Sequence, residues 1–85
     1  MDTKRLAAFI KVVDAGSVTR AAKLLNVAQP GLSQQILTLE NEFKTRLLGR
    51  SPRGVTPTPA GRTLYRHAQR ILRQTDEALA NVREA

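Results

Sequence analysis

Cysteine and tryptophan are both absent from these 85 residues. Without cysteine there is neither a disulfide framework nor a thiolate zinc site. A single histidine, His67, cannot assemble a metal cluster and is given no special role. Aromatic residues are limited to Phe9, Phe43 and Tyr65. No stretch approaches the roughly 18 apolar residues of a membrane span, and the N-terminus lacks the long apolar run of a signal peptide, so the chain reads as cytoplasmic, with no membrane partner. Glycine-rich phosphate loops, nucleophile–base pairs and ligand clusters are missing too. An enzyme is therefore the least supported class, and no cofactor or metal is called for.

Acidic residues are scarce: 7 Asp plus Glu stand against 14 Lys plus Arg, most of the latter being Arg. A small, strongly basic domain has the electrostatic footprint of a nucleic-acid binder, although basic domains also bind membranes and acidic proteins. The length allows one small domain with a thin core, since a chain of this size buries only about two-thirds of its unfolded surface. Such a core has little room for a deep catalytic cavity, and help from oligomerisation or a ligand is expected.

Helical periodicity organises what is present. From Thr3 to Asp14, Leu6, Phe9, Ile10 and Val13 form one stripe, and Gly16 is a natural C-terminal stop. Ser17 is a good N-cap for a short second helix with Val18, Ala21, Ala22, Leu24 and Leu25, ending at Asn26. A third helix starts at about Gln29 or Pro30. The tight turn between them, with small alanines on the first, is a helix-turn-helix pattern. Beyond Lys44 the texture changes: Leu47, Leu48 and Val55 flank Ser51-Pro52-Arg53-Gly54, a small β-hairpin. Thr58-Pro59 is an N-cap followed by proline at the first helical position. The last helix is expected from Pro59 close to Ala85, about 26 residues and roughly 39 Å. Nothing breaks it, so the chain is expected to end inside a helix and to be part of something larger.

The third helix opens oddly, with Pro30 and the poor helix former Gly31 ahead of Ser33, Gln34 and Gln35. At 100° per residue, Leu32, Ile36, Leu39 and Phe43 cluster as a core face. Pro30, Gln34, Leu37, Thr38 and Asn41 lie opposite, on a mostly uncharged, hydrogen-bonding surface. DNA accounts for that face, because Gln pairs with the N6/N7 edge of adenine, Ser reaches bases or phosphates, and apolar atoms meet the thymine methyl. In a helix-turn-helix the N-terminal residues of the second helix do the reading. Gly31 then keeps the helix start slim against the groove wall, and free first-turn N–H groups can meet phosphate. The competing account is an ordinary solvated face, with Leu37 packed by the hairpin.

The hairpin adds a separate argument. Arg50 and Arg53 bracket a proline turn, and narrow A·T-rich minor grooves attract an arginine projecting from such a tip. Thr58 serves mainly as the N-cap, with its hydroxyl a weaker candidate for phosphate. On the last helix Leu64, Ile71 and Ala78 repeat every seven residues, as do Ala68, Thr75 and Val82, forming a seam widened by Tyr65, Leu72 and Leu79. Arg62, Arg66, Arg70 and Arg73 lie on the opposite side as a solvated outer face, with weak attraction of DNA as its only other role. The seam is longer than the domain can cover, which predicts a partner helix, most simply its own copy in a two-fold dimer.

"FIKVVDAGSVTRAAKLLNVAQPGLSQQILTLE" and "LLGRSPRGVTPTPAGRTLYRHAQRIL" closely resemble the N-terminal DNA-binding domain of LysR-type transcriptional regulators. The likeness rests on Ala21-Ala22 with Leu24-Leu25, Gln29-Pro30, Leu32-Ser33, Leu39-Glu40, Leu47-Leu48 with Arg50, and Thr56-Pro57-Thr58 with Ala60-Gly61. It spans about Leu6 to Leu72, and the wording is most like the nitrogen-assimilation-control branch. The resemblance implies a mainly α fold, a winged helix-turn-helix over residues 1–58, with a linker and dimerisation helix over 59–85. It also implies a small-molecule-sensing domain absent from this chain.

By that resemblance, Gln29, Pro30, Ser33 and Gln34 meet the major groove, Arg53 reaches the minor groove, and Lys4 touches a phosphate. Position 34 is often Arg in the family and position 31 Ala or Ser, so Gln34 and Gly31 leave the preferred base open. The implied target is double-stranded DNA in an interrupted palindrome, bound by a homodimer. Dimer versus tetramer stays open for a longer protein. Two other functions compete: a helical protein–protein adaptor with little salt dependence, and an RNA-binding winged helix. The second is disfavoured because two of the three aromatics are expected on core faces.

Overall fold

The computed structural model describes residues 1–85. Four helices and one hairpin follow in the order α1 (Thr3–Ala15), α2 (Val18–Leu25), α3 (Gln29–Phe43), β1 (Leu48–Ser51), β2 (Gly54–Pro57) and α4 (Pro59–Glu84). Their ends follow local chemistry. Asp2 caps α1 by accepting the Lys4 N–H at 2.8 Å, and Ser17 caps α2 by accepting from Arg20 at 3.1 Å. Gly16 and Asn26 end these helices in the left-handed region, at φ 68° and 57°. Lys44 does the same for α3 at φ 53°, a conformation that lysine adopts less readily than glycine or asparagine.

The core is one cluster. Leu6, Phe9 and Val12 of α1, Ala21 and Ala22 of α2, and Leu32, Ile36 and Leu39 of α3 meet Leu47, Leu48 and Val55 of the hairpin region. Leu64 and Ala68 of α4 complete it. Phe9 is fully buried, but Phe43, expected on the same core face as Leu39, is 43% exposed. It sits in the last turn of α3, where the face continues after the covering elements have ended. Leu37 is likewise exposed rather than packed by the hairpin.

The hairpin pairs β1 and β2 antiparallel, with Leu48 opposite Pro57 and Ser51 opposite Gly54, so Pro52-Arg53 forms the turn. Two short strands alone are marginal in water, and here the helices hold them. The Val55 N–H donates to the Gly16 carbonyl at 3.0 Å, and the Thr58 N–H to the Leu47 carbonyl at 3.0 Å. Gly54, at φ 128°, passes so close to Gly16 that a β-carbon would overlap the Gly16 carbonyl oxygen. The Thr58 hydroxyl caps α4 by accepting from Gly61 at 3.0 Å and donates to the Arg46 carbonyl at 2.7 Å.

The first half of α4 packs on α1, helped by the Tyr65 hydroxyl, which donates to Asp14 Oδ1 at 2.5 Å. That hydrogen bond, with some burial and the Asp14 charge, holds the phenol above its ordinary pKa. The seam assigned to a partner helix is therefore divided. Leu64 and Ala68 are consumed by the chain's own core, because they fall on the turns of α4 that lie over α1. Past Leu72 the helix overhangs, leaving Thr75, Ala78, Leu79 and Val82 in solvent. The overhang makes the molecule elongated, 49 × 27 × 19 Å.

Gly61 is the tightest point of this clamp, since a β-carbon there would overlap the Leu47 carbonyl oxygen. Gly61→Ala should lower stability by about 1–3 kcal/mol through overpacking, seen as a reduced urea midpoint. Thr63→Ala, on the exposed side of the same helix, should stay within about 0.5 kcal/mol. An unchanged midpoint for Gly61→Ala would mean the start of α4 is not clamped.

Candidate nucleic-acid interface

The start of α3 is solvent-facing and unusually bare. Gln29, Pro30, Gly31 and Gln34 are exposed, and Ser33 is half-buried. Ala28 occupies the N-cap with no side-chain hydrogen bond, so the first-turn amides have no side-chain acceptor. A β-carbon on Gly31 would meet nothing within 4 Å, so no packing inside the molecule demands glycine there. Gln29 Nε2 donates to Ser33 Oγ at 2.9 Å, one helical turn away. This bond engages one amide hydrogen and leaves the other N–H and the carbonyl oxygen of the exposed side chain as a donor–acceptor pair without a partner inside the molecule. The Thr38 hydroxyl donates to the Gln34 carbonyl at 2.9 Å, so its donor is occupied within the helix.

Beside this face stands the hairpin. Arg50 lies exposed on β1 opposite Val55, and Arg53 lies exposed in the turn, where its backbone N–H donates to Ser51 Oγ at 3.2 Å. A slot of about 210 Å³ joins the beginnings of α2 and α3 to the hairpin, with Ser17, Thr19, Gln29 and Arg50 among its lining residues. A second, of about 470 Å³, separates the C-terminal half of α3 from the hairpin, and Arg50 lines that one too. The fold thus brings Gln29 and Arg50 together and puts Arg53 at the hairpin tip. Lys4, on the first turn of α1, lines neither slot, and Thr58 is occupied at both hydroxyl functions.

Charge is segregated. No acidic residue occurs between Asp14 and Glu40, or between Glu42 and Asp76. Glu42 pairs with Arg5 at 3.7 Å. Glu40 faces the hairpin, and its Oε2 accepts from the Leu47 N–H at 2.8 Å and the Leu48 N–H at 3.3 Å. The same oxygen lies 3.5 Å from Arg46 Nε. Sequence reasoning missed this role, because periodicity places Glu40 on α3 but says nothing of amides seven and eight residues away across a turn.

A helix-turn-helix whose second helix opens exposed and uncharged, beside a basic hairpin, defines a winged helix-turn-helix domain. The family model for the bacterial regulatory helix-turn-helix proteins of the lysR family matches residues 3–62. The chain belongs to that family. It is 56% identical over 78 residues to the nitrogen assimilation regulatory protein nac of Klebsiella aerogenes, covering 92% of this chain and 26% of the relative. With the regulator CysL of Bacillus subtilis (strain 168) it shares 42% over 77 residues, 91% of this chain and 26% of that one. Both relatives are regulators, and the chain spans about a quarter of their length.

Among solved structures, the LysR family regulator CbnR superposes with a TM-score of 0.96 at 38% identity, over 100% of this chain and 29% of CbnR. The BenM DBD in complex with catB site 1 DNA gives 0.94 at 38%, over 99% of this chain and 94% of that one.

Removing Glu40 leaves two backbone amides unpartnered. Glu40→Ala should cost about 1–3 kcal/mol and speed hydrogen exchange at the Leu47 and Leu48 amides more than at Leu32 or Ile36. Uniform acceleration at all four positions would instead point to general loosening of the core.

Proposed function

We propose that this chain is the sequence-reading, double-stranded-DNA-binding domain of a dimeric bacterial LysR-type transcription regulator, acting in the cytoplasm and performing no catalysis. The observation that carries the reading is the joint placement of an exposed, uncharged reading face on α3 and an arginine-tipped hairpin, over a stretch of sequence with hardly any acid. The DNA complex of the BenM domain, so similar in fold, supports it.

In this reading α3 enters the major groove. Gln29, oriented by Ser33, presents its amide edge to adenine, and Gln34, Pro30 and Gly31 make the close approach. Arg53 enters the flanking minor groove, where narrow A·T-rich sequence deepens the negative potential. Arg50 stands between them, and Lys4, Thr38 and Thr58 are left with phosphate contacts at most. Residues 1–58 supply the reading surface, and 59–85 the linker and dimerisation helix, whose first turns also serve the core.

Dimerisation falls to the overhang of α4. Thr75, Ala78, Leu79 and Val82 continue the stripe beyond the core, with Leu79 63% and Val82 74% exposed, and the half-buried Ile71 and Leu72 join them at its edge. Two copies related by a two-fold axis cover these groups and set two reading helices against an interrupted palindrome. A small-molecule effector would act through a further domain of the longer protein, and a dimer of dimers remains compatible with this helix pairing. The adaptor alternative makes the stripe the whole function and the positive charge incidental.

Fluorescence anisotropy over a salt series, on a palindromic duplex with A·T-rich flanks and on a scrambled one, separates these readings. Gln29→Ala should lose about 1–3 kcal/mol of preference for the palindrome. Arg53→Ala should lose the effect of the flanks. Equal binding of every duplex by all three proteins would leave only nonspecific charge and promote the adaptor. For the dimer, Leu79→Asp with Val82→Asp should sediment as a folded monomer that keeps half-site binding but loses the advantage of two half-sites. A dimer unaffected by both substitutions would move the interface elsewhere.

A further inference from the structure

We propose that the larger slot, between the C-terminal half of α3 and the hairpin, is a seat for one DNA phosphate, held by Lys44 and Asn41 beside Arg50. The proposal rests on the DNA-reading function above and adds a site to it. If α3 lies in a major groove while Arg53 lies in the adjacent minor groove, the sugar–phosphate strand dividing those grooves must cross the seam between helix and hairpin. The slot lies along that seam.

Its lining has a surplus of positive charge: Lys44, Arg46 and Arg50 against Glu40 alone. Glu40 is already engaged by the Leu47 and Leu48 amides and by Arg46. Lys44 and Arg50 form no ion pair in the structure. Asn41 is exposed on the same wall, and none of the side-chain hydrogen bonds within the molecule involves it. A cation at the end of α3 also complements the helix dipole. That accounts for a charge at position 44, but not for its grouping with Arg50 and an unpartnered amide around one concavity. Nor does backbone conformation favour lysine at φ 53°. A phosphate oxygen suits this set: Lys44 supplies a point charge and Asn41 an N–H donor.

The test uses Lys44→Asn, because asparagine tolerates the left-handed conformation and removes one charge. Arg73→Gln on the outer face of α4 removes the same charge elsewhere and serves as control. Binding of the palindromic and scrambled duplexes is followed from 50 to 200 mM salt, with a thermal melt to show each variant folded. One phosphate contact contributes about 0.9 to the slope of log K against log salt. Over this range the wild type should therefore weaken about 3.5-fold more than Lys44→Asn, on both duplexes alike. Asn41→Ala should weaken both duplexes at unchanged slope, and Arg73→Gln should leave the slope at the wild-type value.

A wild-type slope in Lys44→Asn overturns the seat, and so does an equal drop in Arg73→Gln, which would reduce the effect to net charge. A wild-type chain that binds no duplex at any salt overturns the DNA reading and the seat with it.

Discussion

The carboxylate of Glu40 ties the base of the hairpin to α3. The hairpin has two strands of four residues, too short to be stable by pairing alone, and beyond its near end it is held by the Val55 N–H on the Gly16 carbonyl and the close approach of Gly54 to Gly16. Glu40 Oε2 takes the amides of Leu47 and Leu48 just where the chain leaves the α3 turn, and these two leucines then enter the core. From the other end, the Thr58 and Gly61 contacts with Arg46 and Leu47 return the chain to the same point before α4 begins. A reading helix and an arginine tip joined only by a flexible turn would lose entropy on binding DNA at both sites. On the proposed reading, joined through Glu40 and the Gly16 contacts, they approach DNA as one rigid surface, so less ordering is left to the moment of binding.

Electrostatics follow from the same economy of acids. Each carboxylate near the helical core is committed: Asp2 to the Lys4 amide, Asp14 to Tyr65, Glu40 to the hairpin, and Glu42 to Arg5. The remaining three, Asp76, Glu77 and Glu84, lie on the far part of α4. The positive field of the proposed reading surface is therefore not cancelled by neighbours, which favours fast, salt-sensitive encounter with a polyanion. Specificity has to come from elsewhere, and the exposed face of α3 near its start is made of amides and hydroxyls rather than charges.

Much of this was legible in the sequence because it is local. Gly16, Asn26, Ser17 and Thr58 signal their turns and caps through their own backbone preferences, and Ser51-Pro52-Arg53-Gly54 closes the hairpin where its chemistry says it should. What escaped is what depends on the extent of a partner surface. Phe43 shares an angular face with Leu39, yet one lies beyond the edge of the core and the other in its centre. Leu64, Ala68, Thr75 and Val82 form one unbroken stripe, yet the first two are inside and the last two in water. Periodicity reports a direction around a helix axis; it has no information on where along the axis the covering elements stop. The role of Glu40 escaped for a related reason, since a carboxylate's partners across a turn leave no spacing rule behind.

The divided stripe on α4 has a consequence for how two copies would face DNA. The helix starts at a point fixed to the hairpin by Gly61 and Thr58, runs across α1, and continues without proline or glycine to its end. Its direction in the overhang is therefore tied rigidly to the orientation of α3 in the core. On the proposed pairing, rotating one overhang against the other would rotate the two reading helices against each other by the same angle and alter the distance between them. A sensing domain connected at the end of α4 would then need no contact with DNA or with α3 to change the fit. It would only have to change the crossing angle of two helices, and the rigid clamp at their beginnings would carry that angle to the groove.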